Sequence, residues 1–397
     1  MYPKISDLIN DLLGTSLLLP IQTFGFFVAL CFVVGYFVLN HELNRMTRNG
    51  VFKTTQVKVR EGGPIEVWDV VVNFLIFFLV GYKLGLMVED YRGFAENPQD
   101  AILSTKGSLL WGLVLGLISG GYRAYEYFKR KDSKAKMVEQ VRGLPDELGT
   151  IFTIAFVGGI LGAKLFHNLE YWDDFAKDPI GSLMSFDGLT FYGGLLLAAG
   201  SILYYVNKKG YPLLPFSDAT SPVLMVGYGV GRIGCQMAGD GDWGIVNTAP
   251  KPDWMSFLPD WMWAFDYPNN VLGKGIPIEG CTGGPCMRLA EPVFPTPFYE
   301  VVACLALFGV LWMLRKRLPY WGQLFSIYLI FNGLERFLIE KIRVNSHYNI
   351  FGAEITQAEI ISSVLIVAGL VMFYLTTFRW KYNLANSGKP VPGAKAT

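Results

Sequence analysis

The chain has 397 residues, of which 52% are hydrophobic and only 17% charged, against roughly 25% charged in a soluble domain. A formal net charge of +1, with no basic patch interleaved with aromatics, argues against a nucleic-acid partner. His41, His167 and His347 are far apart in sequence and give no metal-ligand spacing, so neither a metal nor a cofactor is expected.

In chain order, the first apolar run begins near Pro20, after a segment holding Asp7 and Asp11. It lacks a basic n-region and a small-residue cleavage site, so a retained span is expected rather than a removed signal. Apolar windows near the roughly 20-residue length of a span fall at 20–40, 68–88, 108–127, 147–168, 190–207, 220–238, 298–315, 322–340 and 358–377. The expected fold class is therefore an all-α polytopic membrane protein with about nine transmembrane helices. With the N-terminus outside and the C-terminus inside, the inner segments hold more than twice as many Lys and Arg as the outer ones. The outer loops 89–107 and 169–189 are acidic.

Residues 62–130 resemble residues 143–211 at an offset of 81, through Gly62/Gly143, Pro64/Pro145, Glu66/Glu147, Gly81/Gly162, Lys83/Lys164, Leu84/Leu165, Gly107/Gly188 and Gly112/Gly193. Trp111 then stands opposite Tyr192. This reads as a duplicated two-helix unit added to a seven-span parent, which leaves the sidedness of everything downstream unchanged. The expected organisation is a first helix with a basic inner loop (1–61), the extra repeat unit (62–142), core helices (143–238), a long outer loop (239–297), C-terminal core helices (298–378) and an inner tail (379–397). The long loop carries Cys281 and Cys286 in CTGGPC, either a small-loop disulfide in an oxidising compartment or two free thiols.

Charged residues inside a bilayer need partners, water or a functional reason. Lys164 and His167 lie near the outer end of their span, and Tyr192-Gly193-Gly194 opens the next. Asp218 suits a helix start better than catalysis. Gly231-Arg232-Ile233-Gly234 lies at the outer half of window 220–238, followed by Asp240, Asp242 and Trp243. Its arginine can fork onto a phosphate or carboxylate, or snorkel to headgroups. Tyr299-Glu300 enters the next span, where Glu300 can cap or pair. In the following window Asn332, Arg336 and Glu340 share one helix face and Arg343 lies seven residues beyond Arg336. This is the pattern of a polar cavity wall or of a structural ion-pair ladder. Together these residues indicate an enzyme or transporter handling an anionic amphiphile.

The motifs also resemble those of the bacterial prolipoprotein diacylglyceryl transferase family. GRIGCQMAGDGDWG (231–244) is similar to G-R-x-G-N-F-x-N-x-E-x-x-G, and FNGLERFLIEKIRVN (331–345) to Y-G-x-x-R-F-x-x-E-x-x-R-x-P. FVGGILGAKLF (156–166), YGG (192–194), PTPFYE (295–300), Asp218 through Pro222 and Gln357 match further family segments. The resemblance covers roughly 20–45 and 145–378, and leaves 62–130 as the added unit.

The resemblance implies transfer of the diacylglyceryl group of phosphatidylglycerol to the lipobox cysteine of preprolipoproteins, with release of glycerol phosphate, in the bacterial inner membrane. The partners it implies are phosphatidylglycerol, preprolipoprotein signal peptides and the phospholipid membrane. It assigns catalysis to Arg232, Arg336, Tyr192 and Glu340, and substrate binding to Arg232, Arg336, Arg343, Asp240, Gly244, Gly193 and Gly194. Asp240 stands where the family usually has Glu, and Gly244 closes the signature after a one-residue insertion. The chain departs from the family at Tyr192 and Phe294, where it has histidine, at Phe24, where it has tyrosine, and at Cys235 and Ala238, where it has asparagine. A lipid transporter or a non-catalytic phospholipid-binding scaffold would use the same arginines.

Overall fold

The computed structural model describes all residues except 62–63, 97–100, 103, 131–135, 186–189, 282–283, 346, 351–352 and 380–397. In chain order the elements are α1 (Ile5–Leu13), α2 (Thr23–Arg48), β1 (Thr55–Glu61), α3 (Val67–Glu89), α4 (Tyr91–Glu96), α5 (Leu109–Arg130), β2 (Lys136–Arg142), α6 (Leu148–Glu170), α7 (Trp172–Lys177), α8 (Pro179–Met184), α9 (Phe191–Lys208), α10 (Leu213–Ala238), β3 (Ile276–Pro277), β4 (Met287–Arg288), α11 (Thr296–Leu314), α12 (Gln323–Glu340), β5 (His347–Ile350), β6 (Ala353–Thr356) and α13 (Gln357–Tyr374). The strands form three separate antiparallel ribbons, β1–β2, β3–β4 and β5–β6, in the connections between helices.

All nine apolar windows fall on helices, so the protein is mainly helical as expected. Among the described residues, five segments are long and apolar enough to cross a membrane: Thr23–Arg48, Val67–Glu89, Leu144–Glu170, Thr296–Leu314 and Gln357–Phe378. The windows on α5, α9, α10 and α12 are helical without being among those five. The last two carry Asp218, Arg232, Gln236, Glu335, Arg336 and Glu340, which depress their hydropathy. Helix α10 starts at Leu213, earlier than the window at 220, and runs through Pro222. Asp218 does cap a helix start, but that of α12: its oxygens accept from the amides of Gly322 (2.7 Å) and Phe325 (2.8 Å).

The chain forms two compact units. One comprises Met1–Thr15, Ile21–Lys53 and Leu203–Thr397, and the other Ser16–Pro20 and Thr54–Ile202. In the first, α10 packs with α2, α11 and α12, and α12 packs along α13. The last crossing is close because Gly333 faces the Ser362 carbonyl and Gly369 the Ser326 carbonyl, where small residues let helix backbones approach. Met225, Cys304, Leu311 and Leu324 form its buried apolar centre. Thr356 and Glu359 close a reciprocal capping box at the start of α13. The Cys281–Cys286 disulfide is formed within the segment joining α10 to α11.

In the second unit the two segments that match in sequence also share local geometry. Helices α3 and α6 begin and end 81 residues apart, as do β1 and β2. Lys83 Nζ donates to the carbonyls of Ala101, Ser104 and Lys106, and Lys164 Nζ donates to the Ser185 carbonyl and hydroxyl at 2.9 Å each. Ser104 and Ser185 are themselves 81 apart, and their hydroxyls donate to the carbonyls of Ala101 and Ser182. Equivalent strands pair with each other in a register centred on Lys58 opposite Glu139, which gives the ribbon a local two-fold axis.

In the second helix of each unit the expected offset of 81 is corrected. Helices α5 and α9 begin 82 residues apart. Gly81 abuts the Trp111 carbonyl while Gly162 abuts that of Gly193, so Trp111 corresponds to Gly193 rather than to Tyr192. Ser108 likewise donates to Glu89 as Thr190 does to Glu170. One extra residue in the second connection shifts the register, and the Gly112/Gly193 match does not mark equivalent positions. Gly62 and Gly188 lie outside the described residues.

Candidate functional site

Helix α11 is apolar except for one charge, Glu300, in its second turn. That side chain is completely buried, a placement that needs compensating partners. It receives Tyr228 OH at 3.0 Å from α10 and Arg232 Nε at 2.9 Å, one turn further along the same helix. Arg336 Nη1 on α12 and Arg343 Nη1 just beyond it each stand 3.5 Å from Glu300 Oε1. Three guanidinium groups from two chain segments therefore converge on one carboxylate.

Two more carboxylates complete the cluster. Glu340 pairs with Arg336 Nη2 at 2.9 Å across one helical turn and accepts from Asn345 Nδ2 at 2.6 Å. Asp242 bridges the remaining two arginines, one oxygen to Arg232 and the other to Arg343. The turn that carries Asp242 begins where Gly239, in the left-handed conformation at φ 65°, ends α10. Gly244 then pairs with Arg343 in an isolated antiparallel bridge, and the Ile245 amide donates to the Ile342 carbonyl at 2.9 Å. A side chain at 244 would collide with the Ile342 carbonyl, so only glycine allows this approach.

Of the residues singled out from sequence, Arg232, Arg336, Arg343, Glu340 and Gly244 thus come together in one unit. Asp240 lies beside them: it makes none of these ion pairs, and its carboxylate accepts from the Asp242 amide at 3.3 Å. Burial pushes the Asp240 carboxyl above the usual carboxylate range, against the lowering effect of a hydrogen bond from Cys235. Tyr192, Gly193 and Gly194 belong to the other unit. There Gly193 packs on Phe166 and Gly162, Gly194 packs on the Gly159 carbonyl, and Tyr192 is partly exposed. Both glycines serve a close helix crossing between α9 and α6.

From sequence Glu300 could cap or pair, Glu335 was one member of the charged stripe around Arg336, and neither Asp242 nor Tyr228 was given a role of its own. The signal for Glu300 was present, since it is the single charge on a 19-residue apolar helix. Glu335 is buried beside Tyr228 and Glu300, with neither oxygen in a hydrogen bond of ordinary geometry. Asp242 carried no such signal, because its bridging position depends on where Arg343 returns. The Cys235 thiol and the Asp240 and Asp242 carboxylates lie within 4.8 Å of one another, as metal ligands can. Arg232 Nη1 stands 3.8 Å from that thiol and also holds Asp242, so two of the three groups already have a fixed cation beside them.

A multi-pass helical membrane protein with a buried arginine–carboxylate cluster can hold a phosphate, because guanidinium groups bind phosphate oxygens bidentately. The family model for prolipoprotein diacylglyceryl transferase matches residues 110–375. Phosphatidylglycerol--prolipoprotein diacylglyceryl transferase of Vibrio vulnificus strain YJ016 is 30% identical over 232 residues, 57% of this chain and 74% of the relative. The like-named protein of Symbiobacterium thermophilum is 31% identical across 58% of this chain and 78% of its own. That of Vibrio campbellii is 28% identical across 71% and 92%. The chain belongs to the prolipoprotein diacylglyceryl transferase family.

Proposed function

We propose that the protein transfers the diacylglyceryl group of phosphatidylglycerol to the cysteine thiol of preprolipoproteins in the bacterial inner membrane. The observation that carries this reading is the convergence of Arg232, Arg336 and Arg343 on the buried Glu300. A lipid phosphodiester is the natural anion for such a cluster within a membrane protein. Arg232 and Arg336 bind and polarise the phosphate. The substrate sulfur attacks the glyceryl carbon, the carbon–oxygen bond to phosphate breaks, and glycerol phosphate leaves with the bonding electrons. The thiol proton passes to the departing phosphate or to solvent, so charge and atoms balance. Glu340 orients Arg336 through their 2.9 Å pair. Asp240 and Gly244 are assigned to substrate contact or to shaping its site.

The topology proposed for this activity has nine spans, with the N-terminus outside and the C-terminus inside. The arginine cluster then faces the outer leaflet, where an exported precursor presents its thiol. Residues 62–142 form the added repeat unit, 143–238 and 298–378 the core helices, 239–297 the outer loop and 379–397 the inner tail. The test is mass spectrometry of a lipobox peptide incubated with phosphatidylglycerol and purified protein. A diacylglyceryl mass shift on the cysteine, lost in Arg336→Ala, supports the transferase. Lipid binding or lipid movement without the shift would replace this reading with a scaffold or a transporter.

A further inference from the structure

The arginine cluster is closed on itself. Arg232, Arg336 and Arg343 are met by Glu300, Glu340 and Asp242, so three positive charges face three negative ones in these ion pairs. A phosphodiester entering the cluster brings a further negative charge into a poorly solvated place, where an uncompensated charge is costly. One carboxylate must give way.

The three are not equally free to do so. Glu300 is fully buried and held by Tyr228 and all three arginines. The Glu340 side chain is 1% exposed and fixed by Arg336 and Asn345. The Asp242 side chain is 32% exposed and rides on a turn next to Gly241, whose φ is 98°. Its backbone is pinned, because Thr296 Oγ1 donates to the Asp242 carbonyl at 2.6 Å and the Gly244 amide donates to the Phe294 carbonyl at 2.8 Å. A side-chain rotation toward solvent therefore empties its place without opening the loop. That place, between Arg232 and Arg343 with one oxygen on each, is where two non-bridging phosphate oxygens fit.

We propose that Asp242 is an internal gate: its carboxylate occupies the phosphate seat of the empty enzyme and swings out when an anionic headgroup arrives. The inference rests on the reading of the cluster as a phospholipid headgroup site. The returning carboxylate would also compete with glycerol phosphate and so assist its release.

The test uses full-length Asp242→Asn and Asp242→Ser proteins in detergent, each checked for an intact fold by its thermal transition. Binding of inorganic phosphate and of short-chain phosphatidylglycerol is measured by calorimetry, and the lipid dependence of transfer gives KM and kcat separately. Both variants are expected to bind phosphate about tenfold more tightly than wild type, with KM for the lipid lowered by a similar factor and kcat not raised. Equal or weaker phosphate binding in the variants overturns the gate and makes Asp242 an organiser of the arginines. Tighter phosphate binding with no transfer by wild type would uphold the gate while the transferase reading falls. Transfer by wild type without any gain in the variants would do the reverse.

Discussion

Arg232 and Glu300 meet at 2.9 Å across two helices, and Glu300 has no exposed surface at all. The pair is the hinge point of the candidate site, because Arg336 and Arg343 reach the same carboxylate from a third segment. Removing that carboxylate leaves three guanidinium groups crowded without their common counter-charge. Glu300→Gln should lower stability by about 3 kcal/mol, the typical cost of breaking a buried ion pair from one side. Denaturant titration in detergent measures this, and unchanged stability would show that the arginines find other partners. Diacylglyceryl transfer should fall by roughly 100-fold or more in the same variant, since the arginines lose their positions.

Arg336 tests whether geometry or charge matters. Its two nitrogens engage two different carboxylates, Glu300 and Glu340. A lysine keeps the charge but not the planar fork. Arg336→Lys should therefore retain less than about a tenth of wild-type transfer, by analogy with other bidentate sites. Near-normal activity in the lysine variant would mean that only the charge is used.

Gly244 is expected to tolerate no side chain. Its place against the Ile342 carbonyl brings the Asp242 turn onto Arg343. Gly244→Ala must push these segments apart, and a misplacement on the order of 1 Å at a reacting site costs roughly 100-fold in rate. Steady-state transfer assays of Gly244→Ala beside wild type give the answer.

The duplicated lysines offer a control within one molecule. Lys83 and Lys164 each hold the connection that follows their helix by donating to its carbonyls. Methionine at either position leaves those carbonyls without that donor, which costs about 1–3 kcal/mol per unsatisfied buried group. Both single variants should melt at lower temperature. In the double variant the losses should add if the two repeats act independently.

Asp240 supplies a pH signature. Burial raises its carboxyl above the ordinary value, so the native state holds this proton more tightly than the unfolded chain does. Its contribution therefore favours the native state at acid pH and is lost as pH rises through the raised value. Asp240→Asn should be more stable than wild type at pH 7, with the difference shrinking toward pH 4. Thermal melts across that range measure it, and a difference independent of pH would assign the effect to packing instead.

How much of this was legible in the sequence follows from what each feature depends on. Apolar length places helices, so all nine windows fall on helical segments, and local spacing put Arg336 and Glu340 on one face. The two-helix repeat was read from identities at a constant offset, and Lys83 and Lys164 within it each donate to carbonyls of the following connection. Its second-helix register was misread because a single added residue in a loop leaves no compositional trace, while the contact between Gly162 and Gly193 depends on it. Helix α10 begins at Leu213, ahead of the apolar window at 220, because a helix need not stop where its apolar stretch does.

By itself the sequence determined the membrane-spanning class and the arginines, because hydropathy and charge inside apolar runs are local properties. Only the tertiary structure decided that Glu300 is the common partner of Arg232, Arg336 and Arg343, and that Asp242 rather than Asp240 bridges two of them. Those pairings join residues up to 101 positions apart in the chain, Asp242 and Arg343, and distance along the chain carries no information about which buried charges must neutralise one another.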